Sequence, residues 1–375
     1  MLKKAKIKDL GTIITGKTPS TKIDLFWNGE IDFITPKDIQ VTKHIFKTER
    51  SLSYDGMNAV ASSLLPANAI CVSCIGNIGY VGMTTKRSVT NQQINSIICN
   101  QDNDPNFVFY LMKSLWSRFK KFEGQSTTIS ILNKGQFSDI DISLPSLQEQ
   151  KKIAAQLSCI DEKIELNAKI NDNLYAVLEA VYQEKFTKPK SESKIGILSD
   201  ICFYANDKID VSKLDTRSYF STENMLPEKK GASNATQLPT VSKVTACSRG
   251  DTLISNIRPY FKKIVYSEIK CGCSNDVLCF SPKSQKYSSY LFSTLFDDAF
   301  FAFMTAGSKG TKMPRGDKVQ IMTYPVKLPA DNEVEAFNTV AIPILKQIHS
   351  NNMENRELAS LKDSLLKTLF SDATK

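Results

Sequence analysis

Histidine is almost missing from this chain: His44 and His349 are the only two among 375 residues. A His-based catalytic triad therefore has little material, and both read as ordinary packing or surface residues. There is no P-loop, so ATP hydrolysis is not expected, and no Gly-rich dinucleotide fingerprint follows a strand. The Asn-Pro-Pro-aromatic tetrad of amino-methyltransferases is also missing; the nearest string, Asn103-Asp104-Pro105-Asn106-Phe107, does not match. No run of about 18 apolar residues occurs, so no membrane span is expected, and the opening MLKKAKIKDLG has no apolar core for a signal peptide. Nine cysteines, an odd number, are spread from Cys71 to Cys279. They suit free thiols in a reducing cytoplasm. Cys71-Val72-Ser73-Cys74 lies inside a strand pattern with no second CxxC, and Cys271-Gly272-Cys273 is too tightly spaced for a knuckle. No metal and no cofactor are therefore expected.

The stretch from Ser146 to Phe186 contains no glycine and no proline. It is rich in Glu, Lys, Gln, Ala and Leu, which favour helix. Alternating steps of four and three select Ile153, Leu157, Ile160, Ile164, Asn167, Asn171, Leu174, Leu178 and Val181. Seven of these nine are apolar, which is the seam of a coiled-coil helix. Adding 184 to each number gives Phe337, Ala341, Ile344, Ile348, Asn351, Asn355, Leu358, Lys362 and Leu365. The rhythm returns with both asparagines in the same slots. Leu144-Pro145 maps onto Leu328-Pro329, and Phe186 onto Phe370. The chain thus reads as a tandem duplication of a globular part followed by a long helix.

Two such helices, paired antiparallel, would place the globular parts at opposite ends of a rod roughly 57–60 Å long. The seams would then meet with Asn167 facing Asn355 and Asn171 facing Asn351. Polar seam residues cost stability but fix register. Replacing Asn167 and Asn171 with Leu is expected to raise thermal stability and disturb that register.

The net charge of +9 is unevenly placed. Residues 1–146 carry +5 and residues 189–330 carry +7, against −1 for 147–188 and −2 for 331–375. A polyanion, most simply nucleic acid, would engage the globular parts and not the helices. In the first part, strands are expected near 29–34, 69–75, 80–83, 94–99 and 140–144. A tight turn at Gly76-Asn77-Ile78-Gly79 and one helix over 107–122 are expected with them. After the polar linker Lys188 to Ser193 the plan repeats. Strands are expected near 252–257, 263–266 and 277–280, with one helix over 287–303. Pro343 should kink or restart the second long helix.

These residues resemble the specificity subunits of type I restriction-modification systems. The opening from Leu10 to Ile39, with Gly16-Lys17-Thr18-Pro19, Phe26-Trp27 with Gly29, and Thr35-Pro36 with Asp38-Ile39, resembles one class of their target recognition domains. Leu144 to Ala154 is similar to the start of their central conserved helix. Tyr219 to Met225 and Gly250 to Pro259 resemble a second variety of recognition domain, which lacks the Gly-Lys-Thr-Pro opening.

The resemblance implies an α/β fold. Two mixed α/β recognition domains, at 1–146 and 189–330, are joined by two long conserved helices, at 147–188 and 331–375. The helices pair as an antiparallel coiled coil with pseudo-twofold repetition. It further implies a cytoplasmic, non-catalytic DNA-binding subunit of a defence system. Such a subunit reads one half of a bipartite, asymmetric target per domain and uses the helices as a ruler for the spacer. It recruits two methyltransferase subunits and the restriction-translocase subunits, and no membrane. Two other readings stay open: the DNA-recognition part of a related fused restriction-methyltransferase, and a coiled-coil scaffold binding DNA without sequence preference.

Base reading needs Arg, Lys, Asn and Gln on loops that reach a groove. The candidates are Asn77, Asn91, Gln92, Gln93, Gln125, Ser126 and Thr127 in the first domain. In the second they are Asn256, Arg258, Tyr260, Lys262, Lys263, Lys309, Lys312 and Arg315. The lysines suit phosphates, which position without specifying.

Overall fold

A computed structural model describes residues 2–39, 43–122, 130–187 and 194–371. Gln125, Ser126, Thr127 and the linker at 188–193 lie outside the described residues. The chain divides into two compact units, residues 1–163 with 359–375, and residues 164–358. Each long helix contributes one segment to either unit.

In the first unit a five-stranded sheet runs in the order Gly11–Thr15, Ile94–Cys99, Ile70–Ser73, Val81–Thr84, His44–Ile45. The second unit orders Cys202–Tyr204, Val277–Pro282, Thr252–Ser255 and Ile264–Tyr266 in the same way. Ile70–Ser73 and Thr252–Ser255 are buried at every position, which is why neither alternates apolar with polar residues. Both pair antiparallel with the next strand, as a hairpin.

A second sheet in each unit repeats less closely. The short strands Ser88–Thr90 and Cys271–Cys273 each have one parallel neighbour, Trp27–Ile34 or Tyr219–Phe220. Each also has one antiparallel neighbour, Leu64–Leu65 or Lys243–Cys247. The added edge strand differs: Arg50–Leu52 joins the parallel neighbour, whereas Lys208–Asp210 joins the antiparallel one.

Two expected single helices are each split. The first is Pro105–Ser114 followed by Trp116–Lys120. Leu115 leaves helical geometry at φ −79, ψ 4, so that Phe119 turns inward while Trp116 is 51% exposed. The second is Ser288–Phe296 followed by Asp298–Ala306. Asp297 is extended between them, and its carboxylate accepts from Ala299 N–H at 2.8 Å. An aspartate that caps a new helix competes with continuing the old one. The helix at Tyr54–Ala59, capped by Ser53, was not expected.

The two long helices are Leu147–Tyr182 and Asp331–Leu369. Pro343 does not restart the second, which runs through it unbroken. Pro343 and Thr339, whose carbonyl loses its partner, are both exposed, so water can reach the freed acceptor. The helices are antiparallel. In the first unit Lys362 Nζ meets Asp161 Oδ1 at 2.5 Å. In the second, Asn167 Nδ2 donates to Asn355 Oδ1 at 2.9 Å, and Asn351 Nδ2 to Asn171 Oδ1 at 2.8 Å.

Seam residues enter the domain cores directly. Leu157 and Phe370 are buried in the first unit's main cluster, where the rings of Phe107 and Phe370 are 5.4 Å apart. Leu178, Phe186, Phe337, Ala341 and Ile344 are buried in the second unit's cluster, with Phe186 and Phe337 at 5.3 Å.

Candidate nucleic-acid interface

In each unit the loop closing the central hairpin meets two other loops at one corner. In the first unit this is the turn at 76–79. Gly76 adopts φ +77 and Gly79 φ +95, a region glycine enters without steric cost. Ser73 Oγ donates to the Asn77 carbonyl at 2.6 Å, leaving the exposed Asn77 side chain outward. Cys74 N–H donates to the Gln93 carbonyl at 2.7 Å, which docks the turn at 91–93 beside it. Gly76 N–H donates to the Ser130 carbonyl at 3.0 Å, joining the segment after residues 123–129.

Asn91 largely serves its own turn. Its amide Nδ2 donates to Gln93 Oε1 at 2.8 Å, and its Oδ1 accepts from Gln93 N–H at 3.1 Å. Gln92 is exposed, and its Oε1 accepts from Thr18 Oγ1 at 2.6 Å. The Gly16-Lys17-Thr18-Pro19 opening therefore packs on this turn. A Cβ at Gly16 would lie 2.1 Å from the Asn91 carbonyl oxygen, so this contact requires glycine.

The second unit builds the corner from matching elements. Asn256 N–H donates to the Asp276 carbonyl at 2.8 Å, as Cys74 does to Gln93. Arg258 N–H donates to the Pro314 carbonyl at 2.7 Å, and Ile257 bridges Arg315. The corresponding bridge in the first unit joins Ile75 and Ile131.

Here the turn has no glycine. Arg258 and Lys262 are both left-handed at φ +51, which costs an L-residue roughly 1–2 kcal/mol. Surrounding bonds hold it. Glu228 N–H donates to the Phe261 carbonyl at 2.8 Å and Lys229 N–H to the Lys262 carbonyl at 3.0 Å. Asp298 pairs with Lys229 at 2.7 Å and Lys262 at 3.1 Å. The hydrogen bond from Lys229, then that from Lys262, holds the Asp298 carboxyl below its ordinary range against the opposing effect of burial. The turn presents Tyr260 and Phe261, 46% and 37% exposed, with rings 4.8 Å apart.

The other candidates are unevenly available. Lys263 donates to the Thr222 carbonyl at 2.6 Å, and burial lowers its pKa. Lys309 pairs with Asp317 at 2.5 Å, and Arg315 with Asp276 at 3.1 Å. Arg258 NH2 reaches the Lys312 carbonyl at 3.4 Å, while the Lys312 side chain is exposed with no hydrogen bond or ion pair among the described residues.

Sequence reasoning missed one convergence in the second unit. Cys247, Cys271, Cys273 and Cys279 are buried in one apolar cluster as free thiols. Cys247 lies directly opposite Cys271 on the sheet. The signal was hidden because Cys247 and Cys279 lie far from the Cys-Gly-Cys string. Among the described residues no group of three or more His, Cys, Asp or Glu is placed to hold a metal ion, and no helix is long and apolar enough to cross a membrane.

Residues 2–176 match the type I restriction modification DNA specificity domain. The MjaIX specificity subunit of Methanocaldococcus jannaschii is 33% identical over 184 residues, 48% of this chain and 42% of that protein. The HindI specificity subunit of Haemophilus influenzae is 38% identical over 155 residues, 40% of this chain and 34% of that protein. The first 176 residues thus carry the family's DNA specificity domain.

The stretches that match these relatives cover less than half of each relative's length. The fold likeness is broader. The crystal structure of the type I S subunit from M. genitalium superposes with a TM-score of 0.58 at 16% identity, over 99% of this chain and 96% of that one. The two-domain, two-helix repeat described above is thus the architecture of a type I specificity subunit.

Proposed function

We propose that this chain is a type I specificity subunit that binds double-stranded DNA at a bipartite, asymmetric target, one half-site per unit, and supplies no catalysis of its own. Methyl transfer and cleavage would come from recruited methyltransferase and restriction-translocase subunits, as expected for a specificity component. The paired helices would set the unspecified spacer, with the Asn167–Asn355 and Asn171–Asn351 bonds fixing register.

One observation carries this reading. Both units build the same three-loop corner from matching strands, yet fill it differently: glycines with amides in one, Arg258 with Tyr260 and Phe261 in the other. Shared scaffolding with divergent loop chemistry is how one fold reads two sequences. The positive excess on the globular parts suits the phosphate contacts that position such loops.

The test is a long-read methylome of the source cell with and without this gene. Loss of one split adenine motif on deletion is expected. An unchanged methylome, with the partner methyltransferase expressed, would remove the specificity reading.

A further inference from the structure

Beside the corner of the second unit lies an open cleft of about 480 Å³. Thr222, Glu223, Asn234, Gln237, Thr240 and Asp276 are among the residues that line it. Its walls are tied to the corner. The Thr222 carbonyl accepts from Lys263 Nζ at 2.6 Å, and Thr222 Oγ1 accepts from Ser255 Oγ at 3.2 Å. Asp276 accepts from Arg315 NH2 at 3.1 Å through its side chain and from Asn256 N–H at 2.8 Å through its backbone.

Glu223 sits on a rigid turn. Asn224 Oδ1 accepts from Ser221 N–H at 2.7 Å, and Asn224 Nδ2 donates to the Tyr219 and Ser233 carbonyls at 2.9 and 3.0 Å. The first unit has the same turn: Asp38 Oδ2 accepts from Thr35 N–H at 2.7 Å. There the position matching Glu223 is Lys37, which pairs with Glu49 at 3.5 Å. Glu223 and Gln237 are exposed and make no hydrogen bond or ion pair among the described residues.

We propose that this cleft adds a base contact to the corner of the second unit, and that Glu223, with Gln237, selects a base carrying an exocyclic amine, adenine or cytosine. This rests on the specificity-subunit reading above. A carboxylate only accepts hydrogen bonds. In the major groove adenine and cytosine offer amino donors where thymine and guanine offer carbonyl oxygens, which a carboxylate repels. Gln237 can both accept and donate, the pattern that pairs with adenine. The fixed turn lowers the backbone ordering cost of placing Glu223, and its oxygens need break no bond within the protein, so they exchange only water for the base amine.

The experiment carries the chain together with its methyltransferase partner in a methylation-free host, as wild type, Glu223→Gln and Gln237→Ala, with the methylome read for each. The expected result is a changed or relaxed base in the second half-site, with the first half-site and the spacer retained; retention also certifies folding. Wild-type motifs from both variants would overturn the proposal while leaving the specificity reading intact. A wild type without any split motif would overturn both.

If a variant abolishes methylation altogether, the wild-type complex decides. Duplexes of its motif are made with purine for adenine or 2-pyrimidinone for cytosine at second-half positions. One such loss of the amine should weaken binding roughly 5- to 150-fold. Equal binding of every analogue would overturn the assignment.

Discussion

The two segments of paired helix make the same contact with different chemistry. In the first unit Asp161 and Lys362 meet on the seam. A shift of 184 carries Asp161 onto Leu345 and Lys362 onto Leu178, and both leucines are buried in the second unit's apolar cluster. One repeat thus closes its seam with hydrocarbon and the other with an ion pair whose side chains are 11% and 18% exposed. The pair is embedded further: Tyr110 O–H donates to Asp161 Oδ2 at 2.6 Å, and Lys43 Nζ donates to Ser158 Oγ at 2.9 Å. Buried ion pairs add little net stability over a hydrophobic pair, but they penalise any arrangement that separates the charges. The lesson is that duplicated halves can keep one geometry while only one of them carries a charge-matched seam.

Breaking that comparison should have the largest effect. Lys362→Ala leaves a buried carboxylate without its cation and should cost about 3 kcal/mol, read by chemical denaturation. Asp161→Leu with Lys362→Leu installs the chemistry of the second unit and should recover most of that loss. A double variant as unstable as the single one would show that the ion pair, and not the stranded charge, matters.

The asparagine pairs come next. Asn351 is buried, and its Nδ2 donates only 2.8 Å to Asn171 Oδ1. Asn171→Leu alone therefore strands a buried donor and should cost about 1–3 kcal/mol. Asn171→Leu with Asn351→Leu removes both partners and should restore stability. A stabilised single variant would contradict this.

Much of this architecture was legible because periodicity survives in a single sequence. The seam positions, the central hairpins and the matched Phe186 and Phe370 follow from spacing alone. The split helices were not legible, because breaks at Leu115 and Asp297 depend on local capping and on which face must be buried. The candidate loops were locatable, but their availability was not. Lys263, Lys309 and Arg315 look alike in sequence, yet each is engaged by a group distant along the chain or across a turn. Glu223 and Gln237 gave no signal, since only folding brings their segments to one cleft.

The corners themselves yield smaller effects. Gly76 has φ +77, and a Cβ there would meet nothing within 4 Å. Gly76→Ala should therefore cost about 1 kcal/mol purely through backbone strain. Arg258→Gly relieves the same strain but loosens the unfolded chain, so its stability should stay near wild type. A large loss at Arg258→Gly would mean that its side chain holds the corner.

The smallest effect is the one most specific to the second unit. Lys229 and Lys262 hold the Asp298 carboxyl below the ordinary carboxylate range. A depressed folded pKa contributes stability that is present above the unfolded value, near 4, and lost as pH falls through the folded value. Asp298 is 63% exposed at its side chain, so solvent screening should keep the contribution below about 1 kcal/mol. Asp298→Asn should lower stability slightly at pH 7 and flatten the decline as pH falls below the unfolded value. The first unit's corner, built on glycine, should show no such acid dependence at the matching turn. If Asp298→Asn left the acid limb of the denaturation curve unchanged, the left-handed turn would be held by the Glu228 and Lys229 backbone bonds alone.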